Sequence, residues 1–251
     1  MTAGEITCDT LFAGALFCSQ PRHGYRFSLD ALLLAHFCKP RPGDRVLDLG
    51  AGCGVVSLIL AYRHPQLDLT CLEMQARLAA LARRNIEQNQ FGGRMRLVRG
   101  DLRLIRELLP AAGFDLVVTN PPYFPVASGR LNPNEEQAMA RHELGAALPD
   151  VVGAAAFALP VKGRLALIYP ARRAEAMFAA LRQHRLAPKR LRLVHPYPDA
   201  GATHILLEAV KGGGEGLSVA PPLYVRLTPG GEYSPELSRA FSAIANRADS
   251  T

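Results

Sequence analysis

A glycine-rich turn follows the first strand-like run of the chain and is a place where a ligand could be bound. The run R-V-L-D-L (45–49) is followed by Gly50, Gly52 and Gly54 in the spacing G-x-G-x-G. Glycine lets the backbone adopt positive φ values and approach a ligand closely, because it has no Cβ. A dinucleotide fingerprint instead reads G-x-G-x-x-G, and Val55 stands where that pattern needs its last glycine. The spacing therefore disfavours a nicotinamide oxidoreductase.

Three acidic residues stand at the ends of three successive predicted strands. Asp48 precedes Gly50 by two residues, where a carboxylate repels a pyrophosphate but holds the ammonium or hydroxyl groups of a smaller zwitterionic ligand. Glu73 ends the second strand and can accept from both hydroxyls of a ribose. Asp101 follows the third strand, where it can accept from an adenine amino group while Leu102 covers the ring. Each acid could instead be an ordinary helix cap, and for Asp101 alone both interpretations stay open.

The turn D-L-G-A-G-C-G (48–54) together with these acids resembles the class I S-adenosylmethionine-dependent methyltransferases, and the resemblance runs from about Ser28 to Val210. It implies S-adenosyl-L-methionine as the cofactor and adds Asp30, near the methionine end of that cofactor. The candidate cofactor-binding residues are Asp30, Asp48, Gly50, Ala51, Gly52, Gly54, Glu73, Asp101, Leu102 and Asn120.

The stretch Asn120-Pro121-Pro122-Tyr123 follows the apolar run F-D-L-V-V-T (114–119). Proline fixes φ and restricts the residue before it, so the Asn120 side-chain oxygen and the Pro121 carbonyl point consistently. These two acceptors can bind both N–H bonds of an exocyclic amino group or a carboxamide and aim its lone pair at a methyl donor, while Tyr123 stacks on a planar base. The four residues are the candidate catalytic residues. A merely stiff surface turn is the alternative.

N-P-P-Y resembles the amino-group methyltransferases, whose substrates include adenine in DNA or RNA, guanine in rRNA and glutamine in release factors. The segments R-H-G-Y-R-F-S-L-D-A-L-L-L-A (22–35), S-G-R-L-N-P-N-E-E (128–136) and G-G-E-Y-S-P-E-L (230–237) are similar to the bacterial tRNA(Val) adenine-37 N6-methyltransferase family. That resemblance implies methylation of the adenine next to the anticodon of a valine tRNA. A guanine N2 or protein-glutamine methyltransferase remains an alternative, as does an RNA-binding module with a vestigial cofactor pocket.

A long polar segment, 124–147, is rich in Gly, Pro and Asn, which is typical of a binding loop or lid. The basic and aromatic segment 22–27 suits flipped bases and the RNA backbone. The run 182–192 is also basic and is either a solvated face or an extension of the RNA contact surface. The candidate substrate-binding residues are Phe124, Arg130, Arg141, His142 and Arg26.

Strand-like runs alternate with helical patterns from Arg45 onward. This alternation predicts an α/β, Rossmann-like methyltransferase fold: a mostly parallel, seven-stranded sheet with an antiparallel end strand and short N- and C-terminal extensions. The expected organisation is an extension at 1–27 that could form a hairpin, a methyltransferase domain at 28–210, and an extension at 211–251 packed on the same domain.

Composition sets the remaining expectations. The 251 residues are 49% hydrophobic and carry a formal net charge of +7, which favours a polyanionic partner such as tRNA. The five cysteines are odd in number and form no C-x-x-C pair, so neither a disulfide framework nor a metal site is expected. There is no leader-like N-terminus and no run long enough to span a membrane. A cytoplasmic enzyme without membrane contact is expected, and the oligomeric state is left open.

Overall fold

Strands and helices alternate along the chain as the sequence predicts. The computed structural model describes residues 6–23, 28–121 and 146–242. The strands are β1 (Ile6–Leu11), β2 (Leu16–Pro21), β3 (Arg45–Leu49), β4 (Asp68–Glu73), β5 (Met95–Arg99), β6 (Leu116–Thr119), β7 (Arg164–Pro170), β8 (Leu186–His195), β9 (His204–Lys211), β10 (Ser218–Val219) and β11 (Leu223–Tyr224). The helices are α1 (Leu29–Phe37), α2 (Val55–Arg63), α3 (Ala76–Gln88), α4 (Ile105–Leu108), α5 (Leu148–Ala158), α6 (Ala174–Gln183) and α7 (Pro235–Ser242), with 3₁₀ turns at Leu102–Leu104 and Ala171–Arg173.

The main sheet has the order β8, β9, β7, β6, β3, β4, β5, with β10 and β11 on the outer side of β8. Every neighbouring pair from β7 to β5 is parallel. The chain runs outward from β3 through β4 to β5 and then returns to β6 on the other side of β3. In open α/β sheets, ligands bind at the carboxyl ends of the strands beside such a reversal of strand order. The segments that follow β3 and β6 therefore meet at the expected binding crevice.

Helices cover both faces of the sheet. Because successive side chains on a strand point to opposite faces, Val46 and Val118 pack into one apolar cluster with α1, α2 and α3. Leu47 and Val117 pack into a second cluster with α4, α5 and α6. The parallel strands are thus buried on both sides, which explains why they read as continuous apolar runs rather than alternating ones.

The predicted fold class is confirmed, with two differences in the sheet. Two-residue strands β10 and β11 extend the sheet to nine strands. The antiparallel strand β9 does not lie at the edge but between β7 and β8. β9 carries the run I-L-L (205–207), which is buried, whereas most residues of β8 are only partly buried. The strand with the more continuous apolar run therefore takes the interior position.

The N-terminal extension contains the predicted hairpin. β1 and β2 pair antiparallel, and Phe12 and Ala13 adopt positive φ values in the turn between them. Phe12 stacks on Tyr62 of α2 with ring centroids 5.3 Å apart. β2 also packs against α3, so the hairpin lies over the helices that follow β3 and β4.

The C-terminal segment packs along the outer edge of the sheet. Within the stretch L-Y-V-R-L (223–227), Leu223 and Tyr224 pair with β8. Arg192 of β8 reaches Glu236 of α7 with two hydrogen bonds of 2.5 and 2.7 Å. The division into 1–27, 28–210 and 211–251 stays a prediction. Among the described residues, no helix is both long and apolar enough to cross a membrane.

The basic run 182–192 is largely occupied by internal contacts. Arg190 lies over the Phe37 ring at 4.0 Å and donates to the Phe37 carbonyl oxygen at 2.7 Å. Lys189 donates to the carbonyl oxygens of Gly214 and Glu215. These side chains fix β8 to its neighbours, whereas Arg182 and Arg185 of the same run are exposed.

Candidate active site

The glycine turn leaves β3 with positive φ at Gly50, Gly52 and Gly54 (71°, 59° and 85°). The amides of Gly50 and Ala51 donate to the Leu72 carbonyl oxygen at the end of β4. No heavy atom lies within 4 Å of the position that a Cβ on Gly50 would take. The turn is therefore fixed on its inner side and open on its outer side, where a ligand can approach the backbone.

Asp48 lies beneath this turn. It is 2% exposed, and its carboxylate accepts from the Ser57 hydroxyl of α2 at 2.8 Å. Burial raises the pKa of Asp48 to about 7, and the hydrogen bonds from Ser57 oppose that rise. Asp48 therefore ties β3 to α2 through a carboxyl group that is largely removed from water, and its contact with a cofactor stays a prediction.

Glu73 connects the end of β4 to the glycine turn. Its Oε2 accepts from the Gly52 amide and its Oε1 from the Gln75 amide, each at 2.8 Å. Burial raises the pKa of Glu73, while these backbone hydrogen bonds lower it. A carboxylate offers about four lone-pair sites. The amides of Gly52 and Gln75 occupy two of them, and contact of Glu73 with a ribose stays a prediction.

Asp101 follows β5 and caps the 3₁₀ turn that Leu102 begins. It accepts from the Arg103 amide at 2.9 Å and from the Arg103 guanidinium. The Arg103 guanidinium holds the pKa of Asp101 below its usual range. The capping interpretation is thus confirmed for Asp101. Contact of Asp101 and Leu102 with an adenine stays a prediction.

Asn120 follows β6 and lies next to the glycine turn in the sheet. The preceding Thr119 donates from its hydroxyl to the Leu49 carbonyl oxygen at 2.9 Å, which joins the ends of β6 and β3. Asn120 is partly exposed and Pro121 is buried. The structure thus brings the first two residues of the N-P-P-Y turn to the edge where Gly50 begins the glycine turn.

Several predicted site residues lie outside the described residues: Pro122, Tyr123, Phe124, Arg130, Arg141, His142 and Arg26. Asp30 is described. It lies in the first turn of α1, accepts from the Ser28 hydroxyl at 2.8 Å, and has its Oδ1 4.0 Å from Nε2 of His204 at the start of β9. Asp30 therefore lies on the β9 side of the edge, and its predicted role toward a cofactor is untested.

The chain has relatives among curated proteins. A family model described as "Methyltransferase small domain" matches residues 29–141. The protein named tRNA1(Val) (adenine(37)-N6)-methyltransferase in Parabacteroides distasonis is 30% identical over 181 residues, which are 71% of this chain and 74% of that protein. The protein of the same name in Porphyromonas gingivalis is 32% identical over 189 residues, covering 73% of each chain. The chain belongs to this methyltransferase family.

Solved structures agree with the fold of the methyltransferase. A protein described as a predicted O-methyltransferase, from Agrobacterium tumefaciens, is 26% identical with a TM-score of 0.70, and the match covers 84% of this chain and 94% of that one. TrmN from Thermus thermophilus matches with a TM-score of 0.53 at 23% identity over 72% of this chain and 48% of that one. The second likeness concerns the fold alone.

Sequence reasoning missed three residues that hold the methyltransferase site together: Ser57, Asn85 and Thr119. Ser57 is a polar residue in the otherwise apolar stretch V-V-S-L-I-L (55–60), and Asn85 falls on the buried face of α3. A polar residue on a buried face needs a hydrogen-bond partner, so both carried a signal. Thr119 carried no such signal, because its β-branched side chain already explains why threonine is common in strands.

Proposed function

We propose that this methyltransferase transfers a methyl group from S-adenosyl-L-methionine to the N6 amino group of an adenine in tRNA. The observation that carries the proposal is the junction of β6 with β3, where the Thr119–Leu49 hydrogen bond sets Asn120 beside the glycine turn. A group that orients an amino nitrogen is thereby adjacent to a turn that is open to a ligand. The names of the relatives in Parabacteroides and Porphyromonas support the choice of substrate.

The residues present fit this cofactor. The outer side of Gly50 is open, so the backbone can approach a ligand. Glu73 ends β4 beside the glycine turn, where a carboxylate can accept from the hydroxyls of a ribose, and Asp101 and Leu102 follow the adjacent strand end, where an adenine would lie. When bound, the cofactor supplies an electrophilic methyl group.

The amino nitrogen of adenine is a poor nucleophile because its lone pair is delocalised into the ring. Asn120 Oδ1 and the Pro121 carbonyl oxygen can each accept one of its two N–H bonds, which turns the lone pair toward the donor. Correct placement of the two reacting groups lowers the activation barrier of methyl transfer substantially, so a strong base is not required. An oxygen nucleophile has one hydrogen to donate. A pair of acceptors therefore suits an amino group better than the hydroxyl that an O-methyltransferase, as the Agrobacterium protein is described, would methylate.

A tRNA substrate also fits the charge. The formal net charge of +7 attracts a polyanion. Arg130 and Arg141, which lie outside the described residues, are close in sequence to Asn120 and are proposed to bind the RNA backbone.

Methyl transfer from labelled S-adenosylmethionine to tRNA tests the proposal. The tRNA is taken from a strain that lacks this gene, and its nucleosides are separated after the reaction. We expect the label in N6-methyladenosine, and RNase treatment of the substrate must abolish incorporation. Label in N2-methylguanosine, in rRNA or in a protein fraction would contradict the proposed substrate and favour one of the alternatives.

A further inference from the structure

A cavity of about 360 Å³ lies at the same edge of the sheet, on the β9 side. Its walls come from the start of α1, the end of β8, the start of β9 and the turn after β11. The lining residues used below are Asp30, Leu33, Val194, Tyr197, His204 and Arg226. The volume falls within the range of pockets for small ligands.

The cavity combines an apolar floor with a polar rim. Leu33 and Val194 form part of the floor and are about 1% exposed. Asp30 and His204 stand on the rim 4.0 Å apart. Arg226 is held there because its guanidinium donates to the Gly231 carbonyl oxygen and lies over the Tyr233 ring at 4.8 Å. An apolar floor with polar groups at the edge suits a heterocyclic ligand.

The cavity is close to the proposed site of methyl transfer. β9 pairs with β7, and β7 pairs with β6, which ends just before Asn120. Thr119 at the end of β6 is level with Leu207 of β9, three residues from His204. Strands lie about 4.8 Å apart and rise about 3.3 Å per residue, so the start of β9 and the end of β6 are separated by roughly 14 Å. The amide of Ala171, after β7, donates to the Thr203 carbonyl oxygen and fixes the rim of the cavity to this edge. About two steps of an unstacked RNA strand can cover such a distance.

We propose that this cavity binds the base of one unpaired nucleotide that flanks the methylated adenine in the RNA substrate. The inference rests on the proposed function. Unpaired RNA bases are recognised by stacking on aromatic or apolar surfaces and by hydrogen bonds to their edges. Leu33 and Val194 supply the apolar surface, and Tyr197 supplies an aromatic ring at the rim.

Charge on the rim selects the orientation of the nucleotide. The Asp30 carboxylate only accepts hydrogen bonds. In this proposal it binds the N–H groups of a base, in place of the methionine end of the cofactor, and it repels a phosphate. Arg226 only donates and binds the phosphate. A base with an amino group beside a ring N–H or an acceptor is therefore preferred at Asp30 over uracil, whose single ring N–H lies between two carbonyl oxygens.

The test fills the cavity from two opposite walls. Thr203 and Pro229 are exposed, line the cavity and belong to different segments, so Thr203→Trp and Pro229→Trp occupy it without disturbing the core. Val219→Trp is the matched control, because Val219 is 62% exposed on β10 and does not line the cavity. Affinity for S-adenosylmethionine and kcat/KM for tRNA are measured for each protein.

The RNA is varied in parallel. Full-length tRNA is assembled by ligation with an abasic nucleotide at each position flanking the target adenine. For the wild type we expect one abasic position to lower kcat/KM by about tenfold or more, the size of one lost base-stacking contact. The two variants that fill the cavity, Thr203→Trp and Pro229→Trp, should show the same decrease in kcat/KM with intact tRNA. The abasic tRNA should decrease their kcat/KM no further, and their affinity for S-adenosylmethionine should be unchanged. Val219→Trp should behave as the wild type.

The outcomes separate the two proposals. If the wild type transfers no methyl group to any tRNA, the proposed function and this inference are both wrong. In a second outcome, the wild type methylates tRNA, and each abasic position lowers kcat/KM of Thr203→Trp and Pro229→Trp by the same factor as that of the wild type. In that case the cavity holds no base and only this inference is wrong. Loss of activity in Val219→Trp equal to that in the filled variants would overturn it as well.

Discussion

The side-chain amide of Asn85 donates to the Cys53 carbonyl oxygen at 2.9 Å, within the glycine turn. Asn85 is fully buried on α3. Its Oδ1 also accepts from the Ser19 amide at 2.6 Å, and its Nδ2 donates to the Ser19 carbonyl oxygen at 3.0 Å. One amide group thus joins the N-terminal hairpin, α3 and the turn that would hold the cofactor.

Replacing Asn85 by alanine should weaken cofactor binding. Asn85→Ala leaves the Cys53 carbonyl without this donor and frees the turn from α3, so we expect affinity for S-adenosylmethionine to fall by about tenfold. The free energy of unfolding should fall by about 1 to 3 kcal/mol, the cost of leaving buried polar groups unsatisfied. Isothermal titration calorimetry and urea denaturation measure the two effects separately.

Asn89→Ala is the matched control for Asn85→Ala. Asn89 lies one helical turn later, and its side-chain amide bonds to the backbone of Phe17 through both of its polar atoms, on the hairpin rather than on the glycine turn. This variant should lose stability but keep its cofactor affinity. Equal affinities in both variants would show that Asn85 acts only on the hairpin.

Local patterns sufficed to predict the parts of the site that depend on neighbouring residues in sequence. The strand Arg45–Leu49 and the glycine turn after it follow from the apolar run and the glycine spacing, and the structure has the strand at those bounds. Asn120 lies beside the glycine turn because parallel sheets place strand ends at one edge.

Features set by distant contacts could not be predicted in this way. Asp48 has the sequence context of an exposed strand end, yet α2 covers it and Ser57 binds it. The interior position of β9 depends on competition between two apolar strands for the same place in the sheet. The cavity beside Asp30 is formed by three stretches that are far apart in sequence, 29–33, 194–204 and 225–230.

Asn120→Ala should lose turnover while keeping cofactor affinity. The side chain is proposed to orient the amino nitrogen, so its removal should lower kcat by at least about a hundredfold through lost placement of the reacting groups. Asn120→Asp keeps an oxygen acceptor at the same position and should retain more activity than the alanine variant. Single-turnover methylation and calorimetric titration with S-adenosylmethionine check the two halves of this prediction. An alanine variant as active as the wild type would exclude the orienting role.

Asp48 should make the fold less stable as the pH rises. Its pKa is raised from 3.8 to about 7, so between these values the folded protein holds a proton that the unfolded chain has lost. The free energy of unfolding therefore falls as the pH rises from about 4 to about 7. The neutral variant Asp48→Asn can still accept from Ser57 but lacks this titration. Between pH 5 and pH 8 the wild type should lose on the order of 2 kcal/mol more than the variant.

Asp115→Asn is the control for that pH dependence. Arg45 holds the pKa of Asp115 below its usual range, so the stability that this carboxylate contributes is present above pH 4 and lost only in acid. Between pH 5 and pH 8 this variant should follow the wild type. Urea denaturation at each pH is the measurement, and an identical pH slope for Asp48→Asn and the wild type would contradict the prediction.

Arg164, the first residue of β7, should be more important for stability than Arg45, the first residue of β3. The Arg164 guanidinium binds the buried Asp44 carboxylate and donates to the Lys39 carbonyl oxygen at 2.7 Å. Arg164→Met leaves that carboxylate buried without its counter-charge, which costs about 3 to 5 kcal/mol. Arg45 pairs with Asp115 at the surface, so Arg45→Met should cost less than about 1 kcal/mol.

A double variant distinguishes the charge of Arg164 from its packing. Asp44→Asn combined with Arg164→Met removes both charges, and its free energy of unfolding should lie above that of Arg164→Met alone, because no unpaired carboxylate remains. Urea denaturation of the four proteins completes the cycle. A double variant as unstable as the sum of the single changes would mean that Arg164 supports β7 through its hydrogen bond to Lys39 and its packing. Recovery would mean that the ion pair is what holds the segment before β3 against β7, and with it the strand ends that carry the glycine turn and Asn120.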